Sequence, residues 1–392
     1  MGHSAVAAVA EEANRNSKSI RMGGERAAAT STGDGTHGRK RRWIWRGAGK
    51  GSLLLMLVLA LALCIGTAQA SVGDRLPDFK NCVKVCIEAN CDGPDKTHIR
   101  KSSILLLSAM RRLTGSAIHR RLTLWTCPSE CDYTCQHITT HQRLARDPPY
   151  REPILQFHGK WPFHRFLGMQ EPFSVLFSLL NYLAHLHGLS LIRSSIPPSY
   201  PLRKYYIGFA LAGMHAWIWS MLFHTRDLPV TETMDYLGAG ASVMYGLFYT
   251  PVRIFRLDAQ APPWKPSLLR LWTLGCVALY VAHISFLLLV RWDYTYNMAA
   301  NVAAGVVQNL LWSWFSVRRY RALKRGWAAW PGLIVAWIIS AMSLELLDFP
   351  PWGGMMDAHA LWHAGTIIPT VWWYSFLVKD AEEDLQGARL KA

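Results

Sequence analysis

The sequence predicts an all-α membrane protein: a seven-transmembrane helix bundle preceded by a signal peptide and a small disulfide-rich lumenal domain. Three observations carry that prediction. Of the 392 residues 51% are hydrophobic and 17% are charged, where soluble domains carry roughly 25% charged residues. Seven apolar runs of bilayer-spanning length follow one another after residue 172. Six of the eight cysteines crowd into one polar stretch ahead of those runs. This composition excludes a disordered chain, a collagen and an ordinary soluble enzyme.

The net charge of +16 misleads if read as a whole. Residues 1–50 hold ten Lys/Arg against four Asp/Glu, and residues 96–124 hold seven against none. The basicity is therefore local, and no nucleic-acid partner is expected.

Residues 1–52 read as a disordered, basic N-terminal extension. Arg39-Lys40-Arg41-Arg42 then precedes the apolar run Leu53 to Ile65, which ends in Ala68-Gln69-Ala70. A basic region, a short apolar core and a small-x-small site make residues 53–70 a signal peptide, with cleavage expected after Ala70. An uncleaved signal anchor is the other reading of the same run.

Residues 71–172 form the expected lumenal domain. Cys82, Cys86, Cys91, Cys127, Cys131 and Cys135 are an even set behind a signal sequence, which reads as a disulfide framework. Six cysteines allow fifteen pairings, and the spacing alone selects none. The x3 spacings also suit a zinc site.

The seven spans are placed at about 173–192, 205–223, 234–252, 268–290, 296–317, 327–347 and 359–378, with residues 379–392 as a cytosolic tail. Loop charge sets their direction. The first, third and fifth connections carry eleven Lys/Arg; the second, fourth and sixth carry only Arg226 and Arg291. The odd connections are thus cytosolic, the cysteine domain is lumenal and the C-terminus is cytosolic. The stretch Asp380 to Asp384 is expected to be solvated.

Ionisable groups in membrane helices are costly and point to function. Ser220 and His224 end the second span, Asp235 begins the third, and His359 and His363 begin the seventh. Each i,i+4 pair shares a helix face. With the topology above, all five lie at lumenal helix ends at one depth. Three neutral imidazoles can hold Zn2+, whose charge lowers the pKa of a water. Asp235 then suits a general base and Ser220 an oxyanion donor. Ser220 as nucleophile with His224 as its base fits the spacing equally well. His185, His187, His215 and His283 lack an accompanying acid or serine and are read as packing residues. The chain has no G-x-S-x-G elbow and no H-E-x-x-H, which removes the usual serine lipase and zincin readings.

Several longer stretches carry a resemblance. They are Gln156-Phe157-His158-Gly159-Lys160-Trp161-Pro162-Phe163, Gly168-Met169-Gln170-Glu171-Pro172, Phe223-His224-Thr225-Arg226-Asp227 and His359-Ala360-Leu361-Trp362-His363-Ala364-Gly365-Thr366. With the cluster Trp125 to Cys135, they make residues 71–380 resemble the post-GPI-attachment to proteins factor 3 family. That family lies within the CREST superfamily of seven-span membrane hydrolases. The resemblance implies hydrolysis of the sn-2 acyl ester of the phosphatidylinositol in GPI anchors, a phospholipase A2 type of step. It implies a Zn2+ site of His224, His359 and His363 with Ser220 and Asp235. It also implies GPI-anchored proteins and membrane lipids as partners, and residence in the endoplasmic reticulum membrane or, alternatively, the Golgi. A ceramidase-like amidase and a non-enzymatic factor for GPI-anchored proteins are the competing functions. Residues 96–124 depart from the family pattern as a basic insertion between the two cysteine groups, read as an insertion without a role or as an amphipathic helix.

Overall fold

The computed structural model describes residues 71–93, 96, 98, 99, 117–148 and 150–389. The expected extension (1–52), the signal peptide (53–70) and most of the insertion lie outside the described residues.

Two helices build the domain that precedes the bundle. Helix α1 (Pro77–Asn90) starts on a proline, whose missing N–H costs nothing at a helix start. It runs into a two-residue antiparallel pair, β1 (Cys91–Asp92) with β2 (His98–Ile99), in register Cys91↔Ile99 and Asp92↔His98. A short helix α2 (Ala117–Leu122) follows the insertion. Helix α3 (Cys127–Leu144) is capped by the Ser129 hydroxyl, which accepts the Thr126 backbone N–H at 2.9 Å.

Three disulfides rung α1 to α3: Cys82–Cys135, Cys86–Cys131 and Cys91–Cys127. The first cysteine of one helix pairs with the last of the other, as two antiparallel helices require. All six cysteines are bonded to each other, so the disulfide reading holds and the zinc reading of this cluster falls. The ladder replaces a core that two short helices could not supply. Phe79, Phe157 and the cysteine sulfurs, with Leu76, Val83 and Ile87 packed against them, fill the space between the two helices.

Seven long helices follow: α4 (Pro172–Ser195), α5 (Arg203–Thr225), α6 (Pro229–Phe255), α7 (Trp264–Ser285), α8 (Tyr294–Leu323), α9 (Trp330–Leu347) and α10 (Ala358–Arg389). Each expected span overlaps one of them, the fourth running on into the turn Phe286–Val290 and the sixth beginning in the turn Gly326–Ala329. Among the described residues, four segments are apolar and long enough to cross a membrane: Pro172–Ser195, Arg203–Thr225, Trp264–Val290 and Gly326–Glu345. The fold class is that of an all-α membrane protein with a disulfide-rich domain. Helix α4 packs between α5 and α10, α5 on α6, α6 on α8, α8 on α9 and α9 on α10, closing a ring of six. Helix α7 leans mainly on α6 from outside.

Lipid is as apolar as leucine, so close packing and interhelical hydrogen bonds must hold such a ring. Trp312 Nε1–H donates to Thr250 Oγ1 and Trp373 Nε1–H to the Tyr249 hydroxyl, both at 2.8 Å and buried. His185 Nδ1 lies 2.7 Å from the Tyr374 hydroxyl. Its ring fills the space opposite Gly213, where a Cβ would come within 2.2 Å of it. His185 is a packing histidine, as expected.

At the end remote from the disulfide domain one expectation fails. Helix α10 continues through Asp380 to Arg389, and Asp380 is fully buried. It pairs with Arg253 and Arg319, while Asp384 takes Arg253, Arg256 and Arg319. Asp380 and Ala381 are buried and Asp384 is partly so, because arginines from two basic connections converge on the two aspartates, while Glu382 is exposed as expected. A buried carboxylate is tolerable when so paired.

Candidate metal centre

The other end of the ring lies against the disulfide domain. Helix α5 ends there with Ser220 and His224 one turn apart, and α10 begins there with His359 and His363 one turn apart. Ser220, His224 and His363 are buried, at 6%, 3% and 4% exposure. One ligand nitrogen from each of His224, His359 and His363 lies within 4.8 Å of the others. His224 Nε2 and His359 Nε2 are 3.4 Å apart.

The outer nitrogens of all three rings are occupied. His224 Nδ1–H donates to Glu171 Oε2 at 2.7 Å. His359 Nδ1–H donates to Glu345 Oε2 at 2.6 Å. His363 Nδ1 faces Ser178 Oγ at 3.0 Å and the Ser174 carbonyl at 3.4 Å; a carbonyl only accepts, so that nitrogen carries the proton. Each ring thus has its proton turned outward and its Nε2 lone pair turned inward. Two lone pairs facing each other across 3.4 Å repel unless a cation lies between them. Outer-nitrogen bonds to carboxylates and carbonyls are the usual company of metal-binding imidazoles. The donor set fits a metal ion.

The remaining predicted residues take up different relations. Ser220 Oγ is 3.0 Å from Ser178 Oγ, which also contacts His363. Its hydroxyl thus belongs to the same cluster through Ser178, and no hydrogen bond links Ser220 to His224 among the described residues. Asp235, on the first turns of α6, lies within electrostatic reach of His224 and His359 without a hydrogen bond to either. The backbone of the site is pinned by Asn181, whose Nδ2–H donates to the His363 carbonyl at 2.8 Å and whose Oδ1 accepts from Thr366 at 3.0 Å.

Sequence reasoning missed Glu171, Glu345, Ser178 and Lys160. Glu345 carried a readable signal, a lone acid inside the apolar run Ser343-Leu344-Glu345-Leu346-Leu347. Glu171 and Lys160 lay in stretches that carried the resemblance, but nothing local tied them to a histidine. Lys160 Nζ donates to Glu171 Oε1 at 2.6 Å, stands 3.3 Å from Asp227 Oδ2 and sits 3.8 Å over the Phe223 ring. Burial opposes its charge, but Glu171 and Asp227 outweigh that and raise its pKa. Burial alone would lift the Glu171 carboxyl, yet His224, which hydrogen-bonds to it, and the Lys160 ammonium hold it well below the ordinary range.

A family model described as the Per1-like family matches residues 117–381, a span that includes most of the bundle and every residue of this site. The chain belongs to the Per1-like family. Relatives agree along most of their length. The chain is 40% identical to "Protein PER1 homolog" of Schizosaccharomyces pombe over 325 residues, 82% of this chain and 91% of that protein. It is 39% identical to "GPI-specific phospholipase A2-like PGAP3" of Cricetulus griseus, over 81% of this chain and 91% of that one. The Homo sapiens protein of that same name is 36% identical, over 80% and 90%. No solved structure matches. The sequence resemblance to the post-GPI-attachment family is thereby borne out, and this Per1-like chain carries a possible three-histidine metal site at one end of its bundle.

Proposed function

We propose that this protein hydrolyses the sn-2 acyl ester of the phosphatidylinositol in GPI anchors, at a metal centre facing the lumen of the endoplasmic reticulum. The observation that carries the reading is the inward convergence of three Nε2 lone pairs, each ring fixed from outside. Membership of a family whose relatives are named GPI-specific phospholipase A2-like supplies the substrate. The six disulfide-bonded cysteines support an oxidising compartment. The basic odd connections support seven spans, with the C-terminus cytosolic.

His224, His359 and His363 would hold Zn2+, since one ligand nitrogen of each lies within 4.8 Å of the others. When bound, the ion supplies a Lewis acid and an acidic water at neutral pH. The chain's own residues do the rest. Glu171 and Glu345 keep the Nδ1 protons outward and the rings oriented. Asp235 takes a proton from the attacking water and returns it to the sn-2 oxygen as the ester C–O bond breaks. The Ser220 hydroxyl, oriented by Ser178, donates to the oxyanion that develops on the ester carbonyl. The products are a free fatty acid and a lyso anchor. Because Ser220 contacts Ser178 rather than His224, the geometry favours Ser220 as donor over Ser220 as nucleophile.

The test is mass spectrometry of GPI-anchor lipid from cells lacking their own remodelling enzyme. Wild type is expected to restore the remodelled lipid, and His359→Ala at equal protein level to leave the sn-2 chain in place. Equal rescue by both would assign the histidines to structure and refute the hydrolase reading.

A further inference from the structure

The three histidines are not held alike. His359 takes its outer partner from α9 and His363 from α4, both inside the bundle. His224 sits in the last turn of α5, and its partner Glu171 is the N-cap residue of α4. Glu171 is itself buried, at 3% exposure. A buried carboxylate beside a neutral imidazole needs a compensating charge. Lys160 supplies it at 2.6 Å.

Lys160 belongs to the other domain. It closes a tight hairpin in which Phe157 N–H donates to the Lys160 carbonyl at 2.7 Å and Lys160 N–H to the Phe157 carbonyl at 2.9 Å. His158 and Gly159 at its tip have φ of 51° and 78°, as a two-residue turn of this hand requires. The tip is tied down by Asp74 Oδ1, which accepts the His158 N–H at 2.9 Å, and by Ser71 Oγ, which accepts the Gly159 N–H at 2.7 Å. Phe157, 1% exposed, packs on Phe79 and on Cys135, which is bonded to Cys82. A continuous set of contacts therefore runs from the Cys82–Cys135 bridge through Phe157, Lys160 and Glu171 to His224.

We infer that Lys160 and Glu171 are positioning residues through which the disulfide domain sets the metal affinity of the histidine site. The inference rests on the metal reading above and adds what the disulfide domain does for it. Without Lys160, the Glu171 charge is stranded in a buried place and moves, and His224 loses the bond that fixes its ring. Outer partners of this kind are worth about 10- to 100-fold in metal affinity.

The experiment is a Zn2+ competition titration against a chelating indicator, on the purified full-length protein in detergent, with melting temperature recorded for each variant. Lys160→Met and Glu171→Gln are expected to weaken Zn2+ binding by about 10- to 100-fold, while Lys160→Arg recovers most of it. The double change Cys82→Ala with Cys135→Ala removes one bridge without leaving a thiol; it is expected to weaken Zn2+ binding too. Adding Lys160→Met to that pair should cause no further additive loss, since both act along one path. Trp161→Phe removes a different tie to the bundle, the Trp161 Nε1–H bond to Asp348, and should leave the affinity unchanged. Wild-type affinity in folded Lys160→Met and Glu171→Gln, or fully additive losses, would overturn the inference while leaving the metal site standing. A wild type that binds no Zn2+ would instead overturn the metal reading, and this inference with it.

Discussion

The two ends of the helix ring both bury ionisable side chains, and they do opposite things with them. At one end Arg253, Arg256 and Arg319 face Asp380, Asp384 and Asp258, and each charge meets its opposite. At the other end three imidazoles face each other, and their partners, Glu171, Glu345 and the Ser178 hydroxyl, lie behind them. The ends are about 26 Å apart along α10, at 1.5 Å per residue between His363 and Asp380. The comparison teaches that burial of charge is a poor guide to chemistry in this fold. The informative feature is direction: the arginine end closes on itself, whereas the histidine end aims three lone pairs at one point.

The largest effect that would break this contrast is loss of a ligand. His363→Ala should abolish lipid remodelling while the protein still folds and reaches the membrane, measured by lipid mass spectrometry and by expression level. At the arginine end Asp380→Asn should do the reverse, since it leaves buried Arg253 and Arg319 to share Asp384 with Arg256. It should cost about 3–5 kcal/mol of stability, read as lost folded yield and a lower Tm, with Zn2+ binding intact in the surviving protein. Replacing Arg253 as well, Arg253→Met with Asp380→Leu, should restore part of that stability, because a buried pair contributes little over a well-packed apolar pair and Arg319 keeps Asp384. A smaller effect sharpens the histidine end: Ser220→Ala should slow hydrolysis by about 10²–10³-fold, the usual loss of one oxyanion donor, without changing Zn2+ content. Complete loss with an acyl-enzyme trapped on the wild type would return Ser220 to the nucleophile role.

The smallest expected effect lies in the disulfide domain. Burial, with help from His164 and Arg165, pushes His137 from 6.5 down to about 4. The folded form therefore holds it neutral where the unfolded chain takes up a proton. This contribution to stability is whole above the unfolded value and falls as pH drops from 6.5 toward 4. The Tm should decline over that window, and His137→Gln should flatten the decline.

Much of this was legible in the chain, and the misses have physical reasons. The long helices could be read because each apolar run is local, and the facing histidines because i,i+4 spacing fixes a helix face. The cysteine pairing needed one further step. Cys82 and Cys86, like Cys127, Cys131 and Cys135, are spaced four apart, so two antiparallel helices could pair them only as a ladder; reading it required knowing that both segments are helical. Asp380 was misread because its arginine partners lie 61 and 127 positions away in the chain, at Arg319 and Arg253. Glu171 and Lys160 escaped for the same reason, since their partners are set by how the hairpin meets the bundle.

The central claim is that the histidine end performs metal-dependent ester hydrolysis. Its most direct test is fatty-acid release from a GPI lipid by the purified full-length protein in vesicles, before metal stripping, after stripping verified by elemental analysis, and after Zn2+ is restored. The account predicts release, then none, then release again. Undiminished release by verified metal-free protein would contradict it.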